Sequence, residues 1–93
     1  MDRLSVKARI HGRVQGVWYR RWVERTASGL GINGWVRNRL DGSVEALFIG
    51  ESSSIDEMIT ACHDGPPAAR VDAIDTFPDH SISPARFDVK PTV

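Results

Sequence analysis

The feature that most constrains the fold is an alternating strand pattern that runs into a glycine-containing loop and then into a helical pattern. Apolar and polar residues alternate over residues 4–11, which predicts a strand with one buried face. The segment Gly12–Arg20 follows it. From Tyr19 to Leu30 apolar residues recur at helical spacing, and Gly29 and Gly31 mark the end of that helix. A loop is therefore predicted between the first strand and the first turn of the first helix.

The rest of the chain predicts a hairpin and two further strands. Asp41-Gly42 is a strong turn signal between strands predicted at Ile32–Asn38 and Ser43–Ile49. A fourth strand is predicted at Arg70–Phe77, where imperfect alternation indicates a bulge. A short last strand at Arg86–Lys90 is predicted at a sheet edge.

A second helix is predicted between the hairpin and the fourth strand. Ser54 and Glu57 have the spacing of a capping box at its start. An apolar stripe at i, i+3, i+4 and i+7 runs from Ile55 to Cys62 and marks the face that meets the core. Gly65, followed by two prolines, ends the helix.

The resulting order is β-α-β-β-α-β plus a short extra C-terminal strand, within one domain of residues 1–93. Right-handed crossovers place both helices on the same face of one sheet. The order therefore predicts an α+β fold, a ferredoxin-like sandwich with two helices on one face of a mostly antiparallel sheet. The first and third strands lie in its middle, and the first loop lies at one end of the sheet.

The composition excludes several classes of function. Twelve Lys and Arg residues balance twelve Asp and Glu residues, so the chain lacks the positive excess that bulk binding to nucleic acid or to an anionic membrane requires. Its single cysteine, Cys62, cannot form an internal disulfide. Residues 1–5 contain no long apolar run, so neither a signal peptide nor a membrane span is predicted. We expect a cytoplasmic protein that is a monomer.

The loop before the first helix has the character of an anion site. It contains no acidic residue, and Gly12 and Gly16 allow backbone conformations that other residues resist. Free N–H groups at a helix N-terminus favour an anion, and Arg20 adds a permanent cation with a planar fork of donors. The hypothesis is a site for a phosphoryl group; the alternative is a solvated Arg20 after an ordinary strand-to-helix turn.

Asn38, at the end of the second predicted strand, is the other candidate. Its amide both donates and accepts hydrogen bonds, as the orientation of a water molecule requires. Periodicity alone favours a turn asparagine that bonds its own backbone. The three histidines have no metal-ligand spacing, and neither a nucleotide phosphate loop nor a nucleophile elbow is present. We therefore expect no metal and no cofactor.

Two segments closely resemble the signatures of the acylphosphatase family. Gly12–Arg20, which reads Gly-Arg-Val-Gln-Gly-Val-Trp-Tyr-Arg, resembles the first signature. Gly34–Asn38, followed by Asp41–Glu45, resembles the second. Further similar segments are Gly65-Pro66-Pro67, Ala69-Arg70-Val71 and Phe87-Asp88-Val89. The resemblance covers nearly the whole chain.

The resemblance implies a small ferredoxin-like enzyme that hydrolyses acyl phosphates to a carboxylate and inorganic phosphate, with phosphate also expected as an inhibitor. Arg20 matches the family's phosphate-binding arginine, and Asn38 matches the asparagine that positions the attacking water. The phosphate cradle is matched by the backbone of Gln15, Gly16, Val17, Trp18 and Tyr19. Tyr19 replaces the common phenylalanine, so its hydroxyl needs a partner, and Trp18 stands at a variable position.

Two other interpretations compete with an enzyme of this family. Ferredoxin-like sandwiches also bind single-stranded RNA through aromatic residues on the open sheet face. Here the third predicted strand lacks that pattern, and Trp35 is the only aromatic residue of the second strand. The other interpretation is an accessory domain that handles carbamoyl phosphate or another small molecule, and the lack of a second domain counts against it. The prediction is an acyl phosphate hydrolase with no nucleic-acid or membrane partner.

Overall fold

Five strands and two helices form an α+β sandwich. The computed structural model describes residues 3–93, so Met1 and Asp2, which belong to the segment predicted to carry no signal peptide, lie outside the described residues. The elements are β1 (Arg3–Arg13), α1 (Tyr19–Gly29), β2 (Asn33–Asn38), β3 (Val44–Glu51), α2 (Ser52–Asp64), β4 (Arg70–Pro78) and β5 (Phe87–Val89). This order confirms the predicted β-α-β-β-α-β arrangement with its short C-terminal strand.

The sheet brings the loop after β1 and the end of β2 to the same edge. The strand order is β4-β1-β3-β2-β5, with β1 and β3 in the middle as predicted. β1 and β2 are both antiparallel to β3, so they run in the same direction and end on the same side of the sheet. The loop and Asn38 are therefore separated by β3 alone, or by about 10 Å across two strand spacings.

The core lies between the two helices and one face of the sheet. Its fully buried sheet residues include Ala8, Ile10, Val44, Ala46 and Phe48, and its helix residues include Val23, Ala27, Ile55, Met58 and Cys62. The Phe48 and Phe87 rings stack with centroids 5.9 Å apart, which extends the core to β5. Burial of each large apolar side chain stabilises the fold by about 1.5–3 kcal/mol.

β3 is buried on both faces, whereas the alternation of apolar and polar residues in its sequence indicates only one buried face. Glu45 and Leu47 point away from the helices, yet they are 5% and 2% exposed. One carboxylate oxygen of Glu45 accepts hydrogen bonds from Arg37 at 2.8 Å and from Arg39 at 3.0 Å. The other lies 3.5 Å from Arg9. Three arginine side chains therefore converge on the Glu45 carboxylate on the open face of the sheet.

The start of α2 differs from the prediction. The helix begins at Ser52, and its N-cap residue Glu51 makes no side-chain cap hydrogen bond. The capping box predicted for Ser54 and Glu57 is therefore wrong, because Ser54 already lies inside the helix. Pairing of β3 with β1 continues as far as Glu51 opposite Arg3, so the strand passes into the helix without an intervening loop.

The bulge predicted in β4 is confirmed, and β1 is longer than expected. The register between β1 and β4 shifts between His11 and Gly12, so that Asp72 has no partner of its own. β1 continues to Arg13 instead of ending at Gly12. Gly12 has a φ of 131° and lies so close to the carbonyl oxygen of Arg70 that a side chain would collide with it.

Replacing Glu45 by Gln should lower the free energy of unfolding and make that free energy less dependent on pH in the acidic range. Burial tends to raise the pKa of Glu45, but hydrogen bonds from Arg37 and Arg39 outweigh it and hold the pKa below the ordinary value of 4.5. A carboxylate with a lowered folded-state pKa stabilises the fold above its unfolded-state pKa, and this contribution is lost as the pH falls through the folded-state pKa. We expect Glu45→Gln to lower the free energy of unfolding at neutral pH by about 1–3 kcal/mol.

Urea unfolding between about pH 7 and pH 3 measures this effect, and the decline in stability below the ordinary pKa should be shallower for Glu45→Gln. Asp75→Asn is the matched control, because the Asp75 side chain is 59% exposed and, among residues 3–93, its one ion-pair partner is His11, at 3.2 Å. Its effect should stay within about 0.5 kcal/mol. Identical acid profiles for Glu45→Gln and the unmodified chain would contradict the stabilising role of the arginine contacts.

Candidate active site

Two residues with positive φ shape the loop between β1 and α1. Gly16 has a φ of 72°, and Trp18 has a φ of 67°. Glycine adopts this left-handed conformation without steric cost, whereas a tryptophan there is strained. Trp18 is also the N-cap residue of α1, and it makes no side-chain cap hydrogen bond.

The backbone N–H groups of this turn are left without backbone acceptors in the described part of the chain. The N–H of Trp22 donates to the carbonyl oxygen of Trp18 at 3.0 Å, so the N–H groups of residues 19–21 precede the first bond of the helix. Those of residues 15–18 likewise have no backbone acceptor within residues 3–93. The first turn of α1 contains no acidic residue. Free N–H groups at the positive end of a helix dipole attract an anion.

Side-chain hydrogen bonds fix the loop to its surroundings. The Gln15 amide nitrogen donates to the carbonyl oxygens of Arg39 at 2.8 Å and Ser43 at 2.9 Å, which flank the turn between β2 and β3. The buried Tyr19 hydroxyl donates to the carbonyl oxygen of Cys62 at 2.7 Å, and this is the partner that the hydroxyl needs. The loop is thereby attached to the hairpin on one side and to α2 on the other.

Arg20 and Asn38 line one cavity of about 380 Å³ at this edge of the sheet. Arg21 pairs with Glu24 at 3.2 Å, but Arg20 forms no ion pair with any of residues 3–93. The side-chain oxygen of Asn38 is buried and has no hydrogen-bond partner in the same part of the chain. A cation without a counter-ion in this part of the chain thus lines the same cavity as Asn38, whose buried acceptor has no donor there. An anion beside a water molecule would satisfy both.

The cavity contains most, but not all, of the residues expected at the site. Its predicted members are Gly16, Trp18, Tyr19, Arg20 and Asn38. Gln15 and Val17 belong to the loop but do not line the cavity, because the Gln15 side chain bonds to the hairpin and Val17 is buried in the core. Sequence reasoning missed Val14, Arg21 and Val89. Val89 comes from β5, and only the parallel pairing of β5 with β2 brings it to this edge.

The described residues were also compared with the requirements of a metal site, a reactive cysteine and a membrane-spanning helix. Within residues 3–93, no three His, Cys, Asp or Glu side chains lie together as metal ligands would. Cys62 is buried, and burial raises the pKa of its thiol to about 12, so the thiolate is scarce at neutral pH. Neither helix of the described chain has the length and apolar character that crossing a membrane requires.

Comparison with known proteins identifies the family. The family model described as Acylphosphatase matches residues 6–89. The chain belongs to the acylphosphatase family. An acylphosphatase of Rhodospirillum rubrum is 52% identical over 89 residues, which cover 96% of this chain and 98% of that protein.

Solved acylphosphatase structures have the same fold. The acylphosphatase from Coxiella burnetii superposes with a TM-score of 0.92 at 30% identity, covering 96% of this chain and 94% of that one. The acylphosphatase from Bacillus subtilis gives 0.89 at 33% identity, covering 94% and 98%. The predicted family and the predicted ferredoxin-like fold are both confirmed.

Membership of the acylphosphatase family makes the chain an enzyme whose substrates are acyl phosphates and whose product is inorganic phosphate. The interpretation as an RNA-binding module is therefore not supported. The ring that such a module would use, Trp35, lies beneath the guanidinium carbon of Arg37 at 4.6 Å and the ammonium group of Lys90 at 5.2 Å. That the enzyme binds no nucleic acid stays a prediction.

Replacing Gln15 by Glu should loosen the loop of this acylphosphatase. The carboxylate cannot donate, so the carbonyl oxygens of Arg39 and Ser43 would each lose one of two donors, keep only a backbone N–H, and face a negative charge. We expect the free energy of unfolding to fall by about 1–3 kcal/mol, the combined contribution of two hydrogen bonds. Gln15→Ala removes the donor without adding charge and should cost less. Urea unfolding measures both variants, and unchanged stability in Gln15→Glu would contradict the role of these bonds.

Proposed function

We propose that the loop N–H groups and Arg20 bind the phosphoryl group of an acyl phosphate, and that Asn38 holds the attacking water. The observation that carries this proposal is that one cavity is lined both by Arg20, which forms no ion pair within residues 3–93, and by Asn38, whose buried side-chain oxygen has no hydrogen-bond partner there. The similarity of both sequence segments to the family signatures supports the same roles.

The loop is suited to the charge that develops during phosphoryl transfer. In the transition state negative charge spreads over the three equatorial phosphoryl oxygens, so catalysis consists largely of positioning and charge neutralisation. N–H donors held by the hydrogen bonds of Gln15 and Tyr19 are pre-organised for those oxygens. Arg20 adds a planar fork of donors and a full positive charge. This scheme requires neither a metal ion nor a cofactor.

Asn38 orients the nucleophile without acting as a base. Its side-chain oxygen accepts a hydrogen bond from the water, whose oxygen attacks phosphorus in line with the acyl oxygen. The new P–O bond forms as the bond to the acyl oxygen breaks, and the carboxylate leaves with the electron pair. A carboxylate is a good leaving group and needs little help from an acid. The proton of the water passes to a phosphoryl oxygen of the substrate, because an amide is too weak a base to take it.

The roles of Arg20 and Asn38 are separable by mutation. Arg20→Ala removes a contact to the phosphoryl group in both the bound state and the transition state, so phosphate binding and turnover should fall together. Asn38→Ala removes a contact to the water alone. It should lower kcat by roughly 10²- to 10³-fold and change phosphate affinity by only a few-fold. Hydrolysis of benzoyl phosphate and competitive inhibition by phosphate measure the two effects.

Arg25→Ala is the matched control for charge, since Arg25 is exposed on the same helix and does not line the cavity. It should retain full activity. All assays contain a chelator, and activity that returns only with added magnesium or zinc would overturn the metal-free scheme. Near-normal kcat/KM in Arg20→Ala would contradict the phosphate site, and loss of phosphate binding in Asn38→Ala with normal kcat would contradict the water site.

Inorganic phosphate should stabilise the folded enzyme. A ligand that binds only the native state raises the free energy of unfolding by about 2.7 kcal/mol at a hundredfold excess over Kd. The melting temperature should therefore rise with phosphate but not with chloride at equal ionic strength, and Arg20→Ala should remove most of the rise. Equal shifts with the two salts would mean that the loop has no specific anion site.

A further inference from the structure

The cavity has an apolar wall that binding of phosphate does not use. Among its apolar lining residues, Val14 and Tyr19 are each 1% exposed, whereas Trp18 is 78% exposed and Val89 is 39% exposed. Exposed apolar side chains that stand alone are common on protein surfaces, and Ile82 is one, at 95%. Trp18 differs from Ile82 because it lines the cavity that Arg20 also lines.

We propose that the Trp18 side chain binds the acyl half of the substrate, so that the enzyme favours acyl phosphates with an aromatic acyl group. This inference rests on the proposed function, because the phosphoryl group bound at the loop and Arg20 determines where the acyl half lies. The indole offers a broad π-face, and aromatic rings pack against each other in offset or edge-to-face arrangements.

The side on which the leaving group departs favours Trp18 over Val89 as the residue that contacts the acyl group. In an in-line displacement the leaving oxygen departs on the side opposite the attacking water, so the acyl group points away from Asn38. Val89 lies opposite Val36 in the parallel pairing of β5 with β2, and hence on the Asn38 side of the cavity. Trp18, at the start of α1, is the largest exposed apolar side chain of the remaining wall.

The Trp18 side chain contributes little to folding. It is mostly exposed, it makes no cap hydrogen bond, and its backbone has a φ of 67°. Asparagine adopts this left-handed conformation more readily than tryptophan does. Trp18→Asn should therefore leave the melting temperature unchanged or raise it, and retain the backbone N–H of the loop.

The test compares benzoyl phosphate with acetyl phosphate, whose small acyl group has no ring to pack on Trp18. In Trp18→Asn the ratio of kcat/KM for benzoyl phosphate to kcat/KM for acetyl phosphate should fall by about three- to tenfold, the effect of losing one aromatic pair. The fall should appear in KM for benzoyl phosphate. Trp18→Phe should retain most of the ratio, and Ile82→Ala, an exposed apolar truncation away from the cavity, should retain all of it.

Competitive inhibition by phosphate separates acyl binding from damage to the loop. The inhibition constant should stay the same in Trp18→Asn, since phosphate has no acyl half. A weaker inhibition that matches the rise in KM for benzoyl phosphate would overturn the inference, because Trp18 would then act on the loop. An unchanged substrate ratio in an enzyme that hydrolyses both compounds would also overturn it, yet leave the proposed function intact. An unmodified enzyme that hydrolyses neither compound would overturn the proposed function itself.

Discussion

The site depends on one constraint, the pairing of β1 and β2 with opposite edges of β3. Because both strands run antiparallel to β3, their last residues reach the same edge of the sheet, about 10 Å apart with the start of β3 between them. A fold that paired β1 directly with β2 would bring these two strand ends within about 5 Å of each other.

Hydrogen bonds from two directions fix the positions of the two strand ends. Gln15 joins the loop to the hairpin from the β1 side. On the far side, the N–H of Val93 donates to the carbonyl oxygen of Asn38 at 3.1 Å, and the N–H of Leu40 donates to the carbonyl oxygen of Val93 at 2.7 Å. The backbone of Asn38 is therefore held between β3 and the segment after β5. Within residues 3–93 the Asn38 side-chain oxygen has no hydrogen-bond partner, so a rigid backbone holds an unsatisfied amide at the wall of the cavity.

Local patterns in the sequence were sufficient to predict the fold, because each pattern reflects the local geometry of a strand, a helix or a turn. Alternation over residues 4–11 follows from the twofold period of a strand, and Asp41-Gly42 has the residue types that a tight turn requires. The same reasoning failed for the capping box at Ser54, where continued strand pairing determined the start of the helix. The residues alone left the proposed roles of Arg20 and Asn38 beside an ordinary structural explanation for each, and the resemblance to the family favoured the proposed roles.

Long-range contacts account for what the sequence did not reveal. The burial of Glu45 requires arginines from neighbouring strands, and the partners of Gln15 are carbonyl groups more than twenty residues away. Alternation records only the side of the sheet on which a residue lies. It contains no information on whether other side chains cover that side. The sequence also did not predict the left-handed backbone of Trp18, because nothing in a tryptophan favours that conformation.

The position of Cys62 allows chemical modification of its thiol to measure how often α2 opens. The thiol is fully buried on the core face of α2, and the carbonyl group of the same residue accepts the Tyr19 hydroxyl. Alkylating reagents therefore reach the sulfur only when α2 separates from the sheet. Since the chain has one cysteine, the rate of its modification under native conditions measures a single event, the local or global unfolding that exposes this helix. Modification of Cys62 thus measures how often the helix layer detaches from the strands that carry the proposed site.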